Sequence, residues 1–186
     1  MGRCITIRIG VDLDETINDM TAQIIPLYNA KYNDNIKYED ITEYDMRPFL
    51  KPECKHIWEE FVNDEFYAGL NVAPHAVDVL TELNKKHEIF FVTAGHPYTL
   101  RARDNWLERH FPFYKSSNLI VCREKQMLKL DFMIDDYENN LIEGSAYGLL
   151  IDKPWNRKAT TRIYRIKRIF GLEEVPKIIR DFEKRC

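Results

Sequence analysis

Residues 5–16 read Ile5-Thr6-Ile7-Arg8-Ile9-Gly10-Val11-Asp12-Leu13-Asp14-Glu15-Thr16. Ile5, Ile7, Ile9, Val11 and Leu13 alternate with other residues, the period of a β-strand. The strand runs straight into Asp12, Asp14 and Thr16, so an apolar run ends in two carboxylates and a hydroxyl. Thr6 and Arg8 fall on the other face, toward the strand's beginning, where solvent is nearer.

Outward from this strand, Asp19 to Tyr32 reads as a helix with Ile24, Ile25, Leu27 and Tyr28 for its apolar face. Residues 33–72 break the rhythm. They are rich in Asp, Glu, Tyr and Phe, Pro48 and Pro52 interrupt them, and helical pattern returns at Glu53 to Asn63. Regular alternation then resumes: helix at His75 to Lys86, strand at Glu88 to Thr93, helix at Tyr98 to His110. Short apolar strands follow at Leu119 to Cys122, Phe132 to Ile134 and Gly148 to Ile151. Ile163, Ile166, Ile169 and Phe170 read as the apolar stripe of a late helix docked on the sheet. The expected fold is α/β: a Rossmann-like parallel sheet, helices on both faces, and a small helical cap inserted after the first strand. The core would take residues 1–18 and 73–186, and the cap 19–72.

The 186 residues suffice for one domain with an insertion, and a chain of this length buries about 70% of its unfolded surface. Apolar residues at 45% and charged residues at 31% exclude a mainly disordered chain. With 27 basic and 30 acidic residues, net charge −3, no global positive field argues for nucleic acid. No apolar run approaches the ~18 residues that cross a membrane, and no secretory signal precedes the first charges. Met1-Gly2-Arg3-Cys4-Ile5-Thr6 formally fits a myristoylation pattern, but the same residues read as entry to the strand. Cys4, Cys54, Cys122 and Cys186 are scattered, which predicts reduced thiols in a cytoplasm. Residues 153–168 carry seven Lys or Arg and no acid; a solvated face or steering of an anionic substrate is the expected reading. The histidines have no metal spacing, and no GxGxxG or GxxxxGK[ST] occurs. A homodimer is compatible with the sequence.

In parallel sheets ligands bind at the carboxyl ends of the strands. Here those ends carry Asp12 and Asp14, then Thr93, then Asp135-Asp136, with Lys125 leading into the last pair. Paired carboxylates at one sheet edge repel unless a cation joins them, and a hard oxygen-liganded ion such as Mg²⁺ meets that need. The ion and a lysine together would hold a phosphate. One carboxylate can attack phosphorus, and a second, two residues on, can protonate the leaving oxygen and later activate water. Thr93 and adjacent backbone N–H groups suit the remaining phosphoryl oxygens.

This ordered set resembles the haloacid dehalogenase superfamily of phosphohydrolases, over most of the chain. The resemblance makes Asp12 the nucleophile and Asp14 the general acid/base. It gives Thr93 and Lys125 to the phosphoryl group, with Lys129 as competitor for the lysine role. Mg²⁺ would sit on Asp12, the backbone carbonyl of Asp14 and Asp135, with Asp136 in or orienting the metal shell. Within the superfamily the chain is similar to the 5'(3')-deoxyribonucleotidases, through Phe66-Tyr67 before Pro74, Arg103 and Trp106 after Thr93, Arg123-Glu124-Lys125, and Pro154-Trp155-Asn156. That likeness implies a nucleoside monophosphate substrate, with Phe66, Tyr67 and Met20 walling the base pocket and Arg103 within reach of phosphate. Glu15 stands where relatives often carry glycine, Met20 where mammalian relatives have an aromatic residue, and Ala94 where a serine can assist. His96 is close enough to approach substrate, while Trp58 and Phe61 read as cap packing. Two rivals share the pattern: the same chemistry on another small phosphorylated metabolite, and a phosphate-binding module without turnover.

Overall fold

The computed structural model describes residues 5–54, 56–95, 97–142, 144, 146–161 and 165–185. Met1 to Cys4, His96, Ile163 and Cys186 lie outside them. The alternating isoleucines form β1 (Arg8–Asp12), whose Ile9 and Val11 are fully buried. Burying such a side chain contributes about 1.5–3 kcal/mol. The chain then runs through α1 (Met20–Tyr32), α2 (Ile57–Phe61), α3 (Asp64–Ala68), α4 (Ala76–Asn84), β2 (Glu88–Thr93), α5 (Leu100–His110) and β3 (Leu119–Val121). It continues through β4 (Phe132–Asp135), β5 (Tyr147–Ile151), β6 (Ile166–Ile169) and α6 (Val175–Glu183). Among the described residues the sheet has six parallel strands in the order β3-β2-β1-β4-β5-β6.

That order explains how the two faces are covered. Crossovers between parallel strands are right-handed, so β1→β2→β3 and β3→β4→β5→β6, running in opposite directions, cover opposite faces. The larger core cluster joins Ile9, Val11, Phe91 and Ile134 to Ile24, Leu80, Trp106 and Ile179 of α1, α4, α5 and α6. The other face packs Val92, Met133, Leu150 and Ile166 against Leu130 and Leu141. Its crossovers contain short 3-10 turns, Lys125–Met127 and Glu138–Asn140. The direction of crossing reverses at β1 and β4, which places the ligand crevice at their carboxyl ends.

Four local readings change. Leu27 is 45% exposed, so the buried face of α1 is Met20, Thr21, Ile24, Ile25 and Tyr28. The helix expected over Glu53 to Asn63 is two: Asn63 takes an extended conformation and its side chain accepts the Phe66 N–H at 2.9 Å, capping a new helix. The start of the helix expected at Tyr98 is a 3-10 turn, Pro97–Thr99. The late helix expected through Ile166 and Ile169 is a strand. Three-residue spacing puts these isoleucines on opposite faces of β6, one in each core cluster, while Phe170 is 77% exposed.

The helical insertion lies between β1 and α4 and shares the larger cluster with the sheet, through Ile41, Met46, Ile57 and Tyr67. No helix of the described residues is long and apolar enough to cross a membrane.

Candidate active site

Asp12 ends β1, Thr93 ends β2 and Asp135 ends β4, so three neighbouring strands deliver polar side chains to one edge. Oxygens of Asp12, Asp135 and Asp136, all buried, lie within 4.8 Å of one another. Lys125 opens the 3-10 turn after β3 and is itself buried. Its Nζ donates to Asp12 and, at 2.8 Å, to Asp135 Oδ2. Lys129 is exposed.

Each carboxylate has further partners. Asp135 accepts the Tyr137 N–H at 2.9 Å and Asn140 Nδ2 at 3.0 Å. Asp136 Oδ2 accepts Trp155 Nε1 at 2.9 Å, and its carbonyl accepts Asn156 Nδ2 at 2.7 Å. Burial pushes Asp12 up, to about 7; Lys125 pulls it down while Asp135 and Asp14 push it up. Asp136 is raised well above the usual carboxylate range, first by burial and then by Asp135 and Asp12. Lys125 is raised despite burial, by Asp12 and Asp135, and stays charged. Three acidic side chains face one ammonium, an excess of two acids, and burial with mutual repulsion makes the charged forms of Asp12 and Asp136 costly. A divalent cation with hard oxygen ligands fits both that excess and this donor set.

Asp14 is held by a separate set of donors. Its Oδ1 accepts Tyr67 Oη at 2.7 Å and Asn18 Nδ2 at 3.2 Å, and its Oδ2 pairs with Arg103 at 2.5 Å. Tyr67 is fully buried, and its hydroxyl is what meets Asp14. Phe66 is partly buried against the core, and Met20 is buried at the start of α1. Thr93 is buried, and its Oγ1 accepts the Gly95 N–H at 3.0 Å. Tyr44, from the insertion, stacks on Tyr137 with centroids 3.7 Å apart and planes at 14°. It lies within electrostatic reach of Asp136, Asp12, Asp135 and Asp14. Reading the sequence singled out neither Tyr44 nor Asn18 nor Asn140. Asn18 carried a signal, an amide four residues beyond Asp14, whereas Tyr44 and Asn140 reach the site only through tertiary packing.

A profile of the family described as 5' nucleotidase, deoxy (pyrimidine), cytosolic type C protein matches residues 5–180. The chain belongs to this nucleotidase family. It is similar to the 5'(3')-deoxyribonucleotidase of Clostridium acetobutylicum, 31% identical over 175 residues, covering 94% of this chain and 97% of that protein. It is likewise similar to the 5'(3')-deoxyribonucleotidase of Bacillus subtilis strain 168, 31% identical over 169 residues, covering 90% and 95%. Among solved structures, a conserved haloacid dehalogenase-like protein from Agrobacterium tumefaciens shares the fold with TM-score 0.69 at 10% identity, covering 96% of this chain and 99% of that one. The chain is thus a 5'(3')-deoxyribonucleotidase-like phosphoric monoester hydrolase with a haloacid dehalogenase-like fold. In this nucleotidase-family chain Glu15 has φ 65° and is buried. Its carboxylate accepts the Thr21 N–H, and Lys153 Nζ lies 3.5 Å away.

Proposed function

We propose that the chain hydrolyses deoxyribonucleoside monophosphates to nucleoside and phosphate through an aspartyl-phosphate on Asp12, with Mg²⁺ as cofactor. The observation that carries this reading is the buried Asp12–Asp135–Asp136 cluster with Lys125 inside it, at the ends of β1 and β4, in a nucleotidase-family chain. Asp12, Asp135, Asp136 and the Asp14 carbonyl would hold the metal, which supplies charge neutralisation for carboxylates and phosphoryl oxygens.

An Asp12 carboxylate oxygen attacks phosphorus, and the ester P–O bond breaks. Asp14 gives its proton to the leaving oxygen. In the second step Asp14 takes a proton from water, whose oxygen attacks the phosphoryl group. The bond to Asp12 breaks, and phosphate departs. Lys125 and Thr93, with neighbouring backbone N–H groups, hold the phosphoryl oxygens. Residues 19–72 act as the cap over this site, a reading supported by Tyr44 and Tyr67, which reach it from the insertion. The family's description as cytosolic supports a cytoplasmic setting.

The test is phosphate release from deoxy- and ribonucleoside monophosphates and sugar phosphates, with Mg²⁺ or with EDTA. Release should be fastest from deoxyribonucleotides and absent in EDTA, and Asp12→Asn should abolish it. Fast release from a sugar phosphate alone would discard the substrate. Full activity of the Asp12→Asn protein would discard the mechanism.

A further inference from the structure

Arg103 is the residue whose placement departs furthest from a role on phosphate. It lies on α5, and its side chain is only 6% exposed. One terminal nitrogen pairs with Asp14 Oδ2 at 2.5 Å, and the other donates to Thr99 Oγ1. The guanidinium carbon lies 4.8 Å from the centre of the Tyr67 ring. The Gly95 backbone is close by: a Cβ built there would fall 2.5 Å from that carbon and 2.6 Å from Nε. Nε is buried and has no hydrogen-bond partner. The fork is therefore bound at both tips and wedged between an aromatic ring and a glycine. Reaching a phosphoryl oxygen would require it to leave Asp14, Thr99 and the Tyr67 face together.

Asp14 is tethered from the same direction. Arg103 holds one oxygen, and Tyr67 and Asn18 hold the other. Its side chain keeps 25% exposure. A carboxylate that must give and take a proton at one place needs its orientation fixed by its neighbours.

We propose that Arg103, clasped between Tyr67 and Gly95, is a positioning residue that fixes Asp14 for proton transfer and does not hold the phosphoryl group. This rests on the reading of Asp14 as general acid/base. Gly95 belongs to the clasp, because any larger residue there displaces the guanidinium.

The test compares two substrates by kcat/KM, which covers steps through departure of the alcohol. 2'-Deoxyuridine 5'-monophosphate has an alkoxide leaving group that needs a proton; p-nitrophenyl phosphate has a leaving group that does not. General acid catalysis is worth about 10²–10⁴-fold. Arg103→Met, Tyr67→Phe and Gly95→Ala should each lower kcat/KM for the nucleotide at least ~10-fold more than for the aryl phosphate, a fraction of that range. Arg103→Lys should recover part of the nucleotide rate relative to Arg103→Met. Circular dichroism and a thermal melt establish that each variant is folded; Gly95→Ala presses only on a side-chain tip and should fold. Equal losses on both substrates would overturn the inference, because an arginine gripping phosphate, or one that merely supports the fold, gives that result. Asp14→Asn separates the two levels. If it shows no preference between substrates, the acid/base reading falls. If it does and the Arg103, Tyr67 and Gly95 variants do not, only the positioning role falls.

Discussion

Glu15 is held in a backbone conformation that its type avoids. At φ 65° a side chain with a Cβ is strained by about 1–2 kcal/mol. The fold keeps it there by three contacts: the Thr21 N–H at the start of α1, Lys153 at 3.5 Å, and Tyr38 Oη at 3.4 Å. First strand, insertion and late loop thus meet on one carboxylate. Glu15→Ala keeps the strain and loses the contacts, whereas Glu15→Gly loses the contacts and the strain. Alanine should therefore be the less stable of the two by about 1–2 kcal/mol, the reverse of their order in a helix. Urea denaturation of the pair decides it, and an alanine variant at least as stable as the glycine one would show that the backbone there is relaxed.

At the scale of elements, His87 joins three of them. It follows α4, precedes β2 and faces Glu183 of α6, with Nε2 3.8 Å from Oε1. Its Nδ1 is buried without a partner. Burial lowers its pKa below 6.5, against the pull of Glu183 and with a push from Lys86. The unfolded chain therefore takes up a proton that the folded protein resists. The stability His87 contributes is present above about pH 6.5 and is lost as pH falls through the lower, folded value. His87→Phe should flatten the fall in urea midpoint between pH 7 and pH 5. An unchanged slope would assign that fall to other groups.

Elements also explain what could be read in advance. β1 alternates apolar with other residues, β2, β4 and β5 are largely apolar runs, and each ends within a residue or two of where the sequence pattern predicts. The carboxylates, Thr93 and Lys125 are legible because strand ends put them on one edge. β6 is not, since isoleucines three apart serve a helix face or two faces of a strand equally well. α6 was not anticipated. The partners of Asp14 are unreadable for another reason: Tyr67 and Arg103 lie 53 and 89 residues away in the chain, and only the packing of α3 on α5 brings them together.

Across the whole molecule, buried acids crowd together at one place, the carboxyl ends of β1 and β4. Asp136 is buried there, and burial, Asp135 and Asp12 make its charged form costly. Asp136→Asn keeps an acceptor for Trp155 Nε1 and removes the cost of ionising a buried acid. In EDTA this variant should unfold at higher urea than the parent. In Mg²⁺ it should gain less in melting temperature than the parent, because it binds the ion more weakly. A variant less stable than the parent in EDTA would mean that the fold itself already compensates this charge.

The strand order carries a temporal consequence. β1 pairs with β4, so Asp12 waits for a lysine 113 residues downstream. Closing loops of that length opposes early pairing, and such non-local contacts form slowly. During synthesis the first motif emerges early and stays chemically idle until β4 has docked beside it. Turnover should therefore be among the last properties regained in refolding, after the sheet that β1 and β4 share has closed.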